Sequence, residues 1–114
     1  MSINEWSDAT AMTEAVQNKT VSPRELVEAT IREAERTNPK INAIVSQRYE
    51  KALKEAETRD FSDKPFAGVP IFLKDLGQEQ AGEPSTAGSR LFTSYHAKET
   101  DNYVKKLEEL GFII

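Results

Sequence analysis

The chain has 114 residues, of which 15 are Lys or Arg and 19 are Asp or Glu, and its formal net charge is -4 at pH 7. This acidic balance, without any run of Lys or Arg, lacks the electrostatic footprint of a nucleic-acid-binding protein. The chain contains no Cys, which excludes disulfides, thiolate chemistry and zinc knuckles. No apolar stretch has the length of a signal peptide or a membrane span, so we expect a cytoplasmic protein without direct contacts to nucleic acid or membrane.

The first part of the chain, residues 1–60, is predicted to be a helical segment. Residues 8–18 carry a weak apolar stripe of helical period. The sequence Ser-Pro-Arg-Glu at 22–25 predicts a sharper helix start, because serine caps the first amides, proline suits the first helical position and glutamate completes a capping box. This helix should end before Asn38-Pro39, since the residue before a proline disfavours the helical region.

Residues 41–45 form a short β-prone run, which predicts a brief extended segment. From Tyr49 onward apolar residues recur at i, i+3, i+4 and i+7, and this period predicts a further amphipathic helix up to Arg59. Residues 60–65 are rich in polar and turn-forming residues. They lead into the second part of the chain, residues 61–114.

Residues 69–73 are all apolar or proline and are followed at once by Lys74 and Asp75. A short apolar run bounded by turn residues predicts a strand that is buried on both faces. Lys74 then stands at the carboxyl end of that strand, where open α/β sheets place their ligands and their chemistry. The alternative is that Lys74 and Asp75 only mark the point at which the strand reaches solvent.

Residues 75–99 show no helical or strand period and are rich in turn formers. A connection this long inside a compact domain is usually functional or disordered. After it, Thr100 can cap a helix over 101–110, Gly111 can stop that helix, and residues 112–114 begin another β-prone run.

Together these elements predict an α/β fold class: a helical amino-terminal segment, then a βαβ unit made of strand 69–73, helix 101–110 and a parallel strand from 112. A parallel pair needs its faces covered and its edges paired by further strands. We therefore expect residues 61–114 to be the start of an incomplete α/β domain, truncated within a larger protein. By itself the chain should be oligomeric, associated with the rest of the fold, or partly disordered.

Several chemistries do not fit the residues. The glycine spacing at 82 and 88, followed by Ser-Arg, fails the phosphate-loop pattern. His96 is the only histidine and has no nucleophile-elbow sequence nearby, so a surface histidine is the better interpretation. One histidine, no cysteine and scattered carboxylates do not form a metal-ligand set.

A lysine that acts as a base toward a serine remains possible, because Ser-Lys pairs are an accepted variant of nucleophilic hydrolysis. Such a lysine must be neutral, so it needs shielding from water or a nearby positive field. A strand end beneath a water-excluding loop would shield Lys74. Ser85, Thr86 and Ser89 could approach it, or could merely satisfy turn hydrogen bonds.

The motifs at this point resemble the amidase signature family. Gly-Val-Pro-Ile-Phe-Leu-Lys-Asp at 68–75 is followed by Gly82 and by Ser-Thr-Ala-Gly-Ser at 85–89. The similarity spans essentially the whole chain but only the first part of the family's length. The other segments that fit the family are the capped helix at 22–27, Ile-Asn-Ala at 41–43, the helix at 101–110 and Gly-Phe-Ile-Ile at 111–114.

The resemblance implies hydrolysis of an amide bond by a serine nucleophile, a second serine in a cis peptide and a lysine. It also implies a mixed sheet with helices on both sides and no cofactor or metal. Lys74 matches the catalytic lysine, while Asp75, Thr86, Gly88 and Ser89 match positions that support the site structurally. Both serines belong to later parts of the family pattern, so we expect this chain alone to hydrolyse no amide.

Leu76-Gly77 replaces the Asn-hydrophobic pair that is common after Lys-Asp in the A subunits of amidotransferases, and Ser85 stands where threonine is frequent. The form Lys-Asp-Leu-Gly is more similar to hydrolases of the nylon-oligomer (cyclic-dimer) branch. In this interpretation the full-length protein binds a small-molecule amide substrate. Two alternatives stay open: a non-catalytic α/β interaction module, and the A subunit of a glutamyl-tRNA(Gln) amidotransferase with partner subunits and a transfer RNA substrate.

Overall fold

The computed structural model describes Asn4 and residues 7–114. Four α-helices are present in this part of the chain, and a 3-10 turn spans Arg90–Phe92. The helices, in chain order, are α1 (Ala9–Gln17), α2 (Pro23–Ile41), α3 (Tyr49–Thr58) and α4 (Asn102–Glu109).

The start of α2 follows the sequence pattern. Ser22 Oγ accepts a hydrogen bond from the Glu25 amide at 3.2 Å, and the Glu25 carboxylate accepts one from the Ser22 amide at 2.7 Å. Pro23 occupies the first helical turn, where its missing N–H costs nothing. The predicted capping box is therefore confirmed.

The predicted end of α2 is wrong, because Pro39 lies inside the helix, which continues to Ile41. Pro39 falls in the last turn, and Asn42, in the left-handed conformation, closes that turn by donating its N–H to Asn38 O at 2.7 Å. The Asn38 side chain then holds the chain that follows. Its Oδ1 accepts from the Ile44 amide at 2.8 Å, and its Nδ2 donates to Ile44 O at 3.3 Å.

The core lies between α2, α3 and the carboxyl-terminal residues of the chain. Val27 on α2, Ala52 and Ala56 on α3, and Ile113 are all buried and form one cluster. Burial of these apolar groups supplies most of the favourable free energy of such a unit. The predicted extended segment at 41–45 is not assigned as a strand, and its Val45 side chain is 69% exposed.

The two predicted strands are not confirmed. Within the described residues, the runs 69–73 and 112–114 meet in a single parallel bridge between Pro70 and Ile113 instead of two regular strands. Ile113 N–H donates to Val69 O at 2.9 Å, and Ile71 N–H donates to Ile113 O at 2.8 Å. In the part of the chain that the structure describes, these two backbone hydrogen bonds are the whole of the pairing between the two runs.

Two glycines allow close contacts between segments that are distant along the chain. Gly68 has φ +76, and a Cβ there would lie 2.5 Å from Pro23 Cβ. Gly111 has φ +104, and a Cβ there would lie 2.8 Å from Lys64 Cβ. Both positions combine left-handed backbone with contact distances that leave no room for a side chain.

Helix α4 begins differently from the prediction. Asp101, not Thr100, is the residue that precedes the first turn, and it makes no side-chain cap. The Thr100 hydroxyl instead accepts from the Ala81 amide at 3.0 Å, and Asp101 Oδ2 accepts from the Glu79 amide at 2.8 Å. The hydroxyl that was expected to cap the helix therefore accepts from an amide of the preceding loop instead. Gly111 follows the helix as expected.

Two arginines tie α3 to the carboxyl-terminal residues. Arg59 donates to Phe112 O at 2.8 Å and to Glu108 O at 2.9 Å. Arg48 pairs with Glu55 at 2.6 Å and also donates to Ile114 O. None of the helices in the described part of the chain combines the length and apolar character that crossing a membrane requires.

Candidate functional site

Lys74 directly follows the run that pairs with Ile113. Its amide donates to Gln78 Oε1 at 2.9 Å, so the Gln78 side chain closes a short loop over 74–78. The Lys74 side chain is exposed, and its Nζ has no hydrogen-bond or ion-pair partner among the described residues. The shielding from water that the sequence analysis expected around this amine is therefore not supplied by these residues.

Asp75 anchors the glycine-rich loop beside Lys74. Its Oδ1 accepts from the Thr86 amide at 2.7 Å, and its Oδ2 accepts from the Thr86 hydroxyl. Thr86 Oγ1 also lies 3.3 Å from the Gly88 amide, which donates to it. Ala87 and Gly88 both have positive φ, 49° and 69°. A tight turn thus presents its amides toward the carboxylate.

This arrangement favours the charged form of Asp75. Burial of the carboxyl group raises its pKa, but hydrogen bonds from the Thr86 hydroxyl, the Thr86 amide and the Gly88 amide outweigh burial. The pKa of Asp75 therefore lies below its ordinary value. Asp75 is an ionised anchor at neutral pH.

The remaining hydroxyl residues of the loop have different surroundings. Ser89 Oγ accepts from the Leu91 amide at 3.2 Å and caps the 3-10 turn, which is a local structural use. Ser85 lines the same cavity as Lys74. Of the residues expected to support the site, Asp75, Thr86 and Gly88 are thus brought together, while Ser89 faces its own turn.

Further contacts, which the sequence analysis did not predict, hold the segment 75–99. An antiparallel bridge joins Pro84 and His96, with Ala97 N–H donating to Glu83 O at 3.0 Å. The Glu83 carboxylate also forms ion pairs with Arg48, at 3.4 Å, and with Lys51. These ion pairs lower the pKa of Glu83 although its partial burial acts to raise it. Nothing in the local sequence signals pairs between residues this far apart.

Lys74 lies at the edge of a cavity of about 450 Å³. Val27 and Ile31 of α2, Ala52 of α3, and the residues Val45 and Phe72 line its apolar walls. Phe72 remains 49% exposed. The cavity is therefore an apolar space that opens to solvent along the 70–73 run.

Other candidate chemistries find no support in the geometry. His96 is exposed, as expected for a surface histidine. Over Asn4 and residues 7–114, no group of three or more His, Cys, Asp or Glu side chains is arranged to hold a metal ion.

Comparison with known proteins matches residues 25–114 to the family model described as Amidase. The lipoamidase of Enterococcus faecalis is 39% identical over 112 residues, which are 96% of this chain and 15% of that protein. The 6-aminohexanoate-cyclic-dimer hydrolase of Paenarthrobacter ureafaciens is 37% identical over 111 residues, or 96% of this chain and 22% of that protein. The A subunit of the glutamyl-tRNA(Gln) amidotransferase of Methylacidiphilum infernorum is 34% identical over 96 residues, which are 84% of this chain and 19% of that protein.

The fold of this chain is also similar to that of a solved structure. The 6-aminohexanoate cyclic dimer hydrolase complexed with substrate superposes with a TM-score of 0.88 at 36% identity. The match covers 97% of this chain and 23% of that chain. This chain thus spans less than a quarter of the length of the relatives named above.

Proposed function

The chain belongs to the amidase signature family, and from this premise we propose that it is the lysine-bearing part of an amidase that hydrolyses a carbon–nitrogen bond. Lys74 is the proposed catalytic residue, and its substrate is a small-molecule amide. The Lys-Asp segment at 74–75 and the Ser-Thr-Ala-Gly-Ser segment at 85–89 both lie within residues 25–114, which match the family model. This match supports the proposal. The observation that carries it is the Asp75–Thr86 anchor. These hydrogen bonds fix the loop of the Ser-Thr-Ala-Gly-Ser motif beside Asp75, the residue that follows Lys74.

In the proposed mechanism Lys74 accepts a proton, through a bridging serine, from the serine that attacks the carbonyl carbon of the amide. The attacking oxygen forms an acyl-enzyme as the amine leaves with a proton, and water then releases the acid. Both serines come from outside these 114 residues. Lys74 is exposed in this chain, so in this mechanism the remaining fold must also shield its amine from water. The chain alone should hydrolyse no amide.

The sheet of the complete fold is part of the same proposal. We expect the bridge between Pro70 and Ile113 to extend into two parallel strands of a mixed α/β sheet once further strands pair with them. In this proposal the helices α1 to α3 form a cover on that sheet. We keep a cytoplasmic location and the absence of a cofactor as expectations of this proposal.

The test is a chimera in which residues 1–114 replace the matching residues of the Paenarthrobacter ureafaciens hydrolase. Lys74→Ala should lower kcat/KM for a simple aryl or aliphatic amide by about three orders of magnitude or more, as loss of a member of a cooperating hydrolytic set does. Lys74→Arg should be equally inactive, because a guanidinium keeps its charge and cannot accept the proton.

Lys98→Ala is the matched control, since Lys98 is also exposed but lies outside the cavity. It should leave the rate within about twofold of the unmodified chimera. Activity that survives Lys74→Ala in an otherwise active chimera would contradict the proposal and favour a non-catalytic module.

The A subunit of an amidotransferase is the second candidate, favoured by the 34% identity to that protein in Methylacidiphilum infernorum. The pair Leu76-Gly77 disfavours this candidate, because A subunits commonly have Asn and a hydrophobic residue at these positions. Hydrolysis of a free amide by the chimera, without any RNA present, would favour the simple amidase. Strict dependence on a transfer RNA substrate would favour the amidotransferase.

A further inference from the structure

Arg48, the residue that precedes α3, contacts three separate segments of the chain. Its guanidinium pairs with Glu55 of α3 at 2.6 Å and with Glu83 at 3.4 Å, and it donates to the backbone oxygen of Ile114. The exposed fractions of the Arg48 and Glu83 side chains are 15% and 19%. Because a guanidinium is planar and carries five donors, it can hold several acceptors in fixed directions at once.

The contact with Ile114 leads to Lys74 through the backbone. Ile114 directly follows Ile113, whose N–H and carbonyl oxygen are both bonded to the run 69–73. Lys74 is the next residue of that run's chain. By binding Ile114 O, Arg48 therefore holds the segment that pairs with the approach to Lys74.

The contact with Glu83 leads to Lys74 from the other side. Glu83 stands three residues before Thr86, which binds the carboxylate of Asp75. Asp75 in turn directly follows Lys74. One side chain, that of Arg48, thus contacts both of the segments that hold the backbone on either side of the proposed catalytic amine.

We propose that Arg48 and Glu83 are positioning residues for the amidase reaction, because their ion pair fixes the segment 83–86 relative to the run 69–73 and thereby the place of Lys74. This inference rests on the proposed role of Lys74. Neither Arg48 nor Glu83 needs to touch the reacting atoms, since both act through the backbone. A small misplacement of a catalytic group slows the chemical step. Loss of the ion pair should therefore lower kcat and leave KM nearly unchanged.

The experiment uses the chimera with the Paenarthrobacter ureafaciens hydrolase, and Glu83→Gln is its main variant. This substitution keeps the size of the side chain and removes the charge that pairs with Arg48. It leaves the contacts of Arg48 with Glu55 and Ile114 in place. We expect kcat to fall by about tenfold to a hundredfold while KM changes by less than about twofold. Arg48→Gln should lower kcat at least as much, and Arg48→Lys, which keeps the positive charge, should recover part of the loss.

Two controls separate positioning from general stability. Lys51→Gln removes a cation that pairs with the same carboxylate but is 61% exposed. Arg59→Ala removes a partly buried arginine whose backbone acceptors, Glu108 O and Phe112 O, lie outside the segment 75–99. Both variants should keep kcat within about twofold of the unmodified chimera, measured at a temperature where each is folded.

A kcat that is unchanged in Glu83→Gln, or that falls equally in the two controls, would overturn the role of the pair. If Lys74→Ala is inactive in the same chimera, that result counts against the pair alone. A chimera in which Lys74→Ala stays active would instead overturn the proposed function, and this inference with it.

Hydrogen exchange of the Thr86 amide in the 114-residue chain is a second measurement, which needs no activity. This amide donates to Asp75 Oδ1 at 2.7 Å and is protected while the segment is held in place. It should exchange at least about fivefold faster in Glu83→Gln than in Lys51→Gln. Equal exchange rates in the two variants would show that the ion pair does not hold the segment, and would also overturn the proposal.

Discussion

At the scale of single residues, Asp75 shows how one charge joins two motifs. Its carboxylate holds the backbone and the side chain of Thr86, eleven residues along the chain. Because the hydrogen bonds from Thr86 and the nearby amide of Gly88 favour the ionised form, folding and ionisation of this group are coupled. The anchor should therefore depend on pH.

The pH prediction has a definite sign. The pKa of Asp75 is lower in the folded chain than its ordinary value of 3.8. Its contribution to stability is present above that value and is lost as pH falls through the lower, folded-state pKa. The free energy of unfolding, measured by urea between about pH 3 and 7, should fall toward acid more steeply in the wild type than in Asp75→Asn. Parallel pH curves would contradict the anchor.

Gly68 gives a second prediction at this scale. Gly68→Ala should destabilise the chain by about 3 kcal/mol, because left-handed backbone costs alanine about 1–2 kcal/mol and the contact with the rigid ring of Pro23 adds a clash. Gly82→Ala isolates the backbone part, since Gly82 has φ +81 but no atom within 4 Å of a Cβ. Urea unfolding of both variants measures the difference. Equal losses would show that the contact with Pro23 is relaxed.

At the scale of elements, the arginines of the α3 region decide how the carboxyl-terminal residues are held. Arg59 is only 25% exposed, and its two hydrogen bonds end on backbone carbonyls of α4 and of the residues after it. Its guanidinium also lies 5.0 Å from the ring centre of Phe61. Phe112 is stacked on Phe66 with ring centres 4.7 Å apart. Helices α3 and α4 are thus connected through one side chain.

Arg59→Ala should lower the free energy of unfolding by about 2–3 kcal/mol, since hydrogen bonds from a charged group are lost and the Glu108 and Phe112 carbonyls are left without these donors. Arg24→Ala is the control. Arg24 pairs with Glu28 and Glu57 on the surface at 44% exposure, where such pairs contribute little. Thermal unfolding of both variants makes the comparison, and a loss in Arg59→Ala no larger than in the control would refute the connection.

At the scale of the whole molecule, the unpaired backbone edge of the 70–73 run, on the side away from Ile113, predicts a pattern of amide hydrogen exchange. The Ile71 and Ile113 amides are bonded across the bridge, whereas the neighbouring Phe72 amide has no partner among the described residues. Phe72 should exchange at least about tenfold faster than the other two in the free chain. Protection of all three in the free chain would show that the edge is already paired.

Part of this organisation could be predicted from local sequence. The capping box at Ser22, the period of α3 and the stop at Gly111 are all decided within one or two helical turns. The strands over 69–73 and 112–114 were over-predicted, because apolar content favours a strand while regular pairing needs neighbours on both edges. The Thr86 anchor lay within the recognised motif, so its residues were expected to lie together. The use of Glu83 and Thr100 depends on distant groups that no local pattern reveals.

The end of α2 also has a bearing on the chemical ageing of the protein. Asn38 binds both backbone groups of Ile44 with its side-chain amide, and conversion to aspartate would replace the donor with an oxygen that repels the Ile44 carbonyl. Deamidation of asparagine proceeds through a succinimide ring that the next residue's backbone nitrogen must close. That nitrogen belongs to Pro39 and carries no hydrogen. The residue that interrupts the helical hydrogen bonding therefore protects this amide from slow hydrolysis during storage.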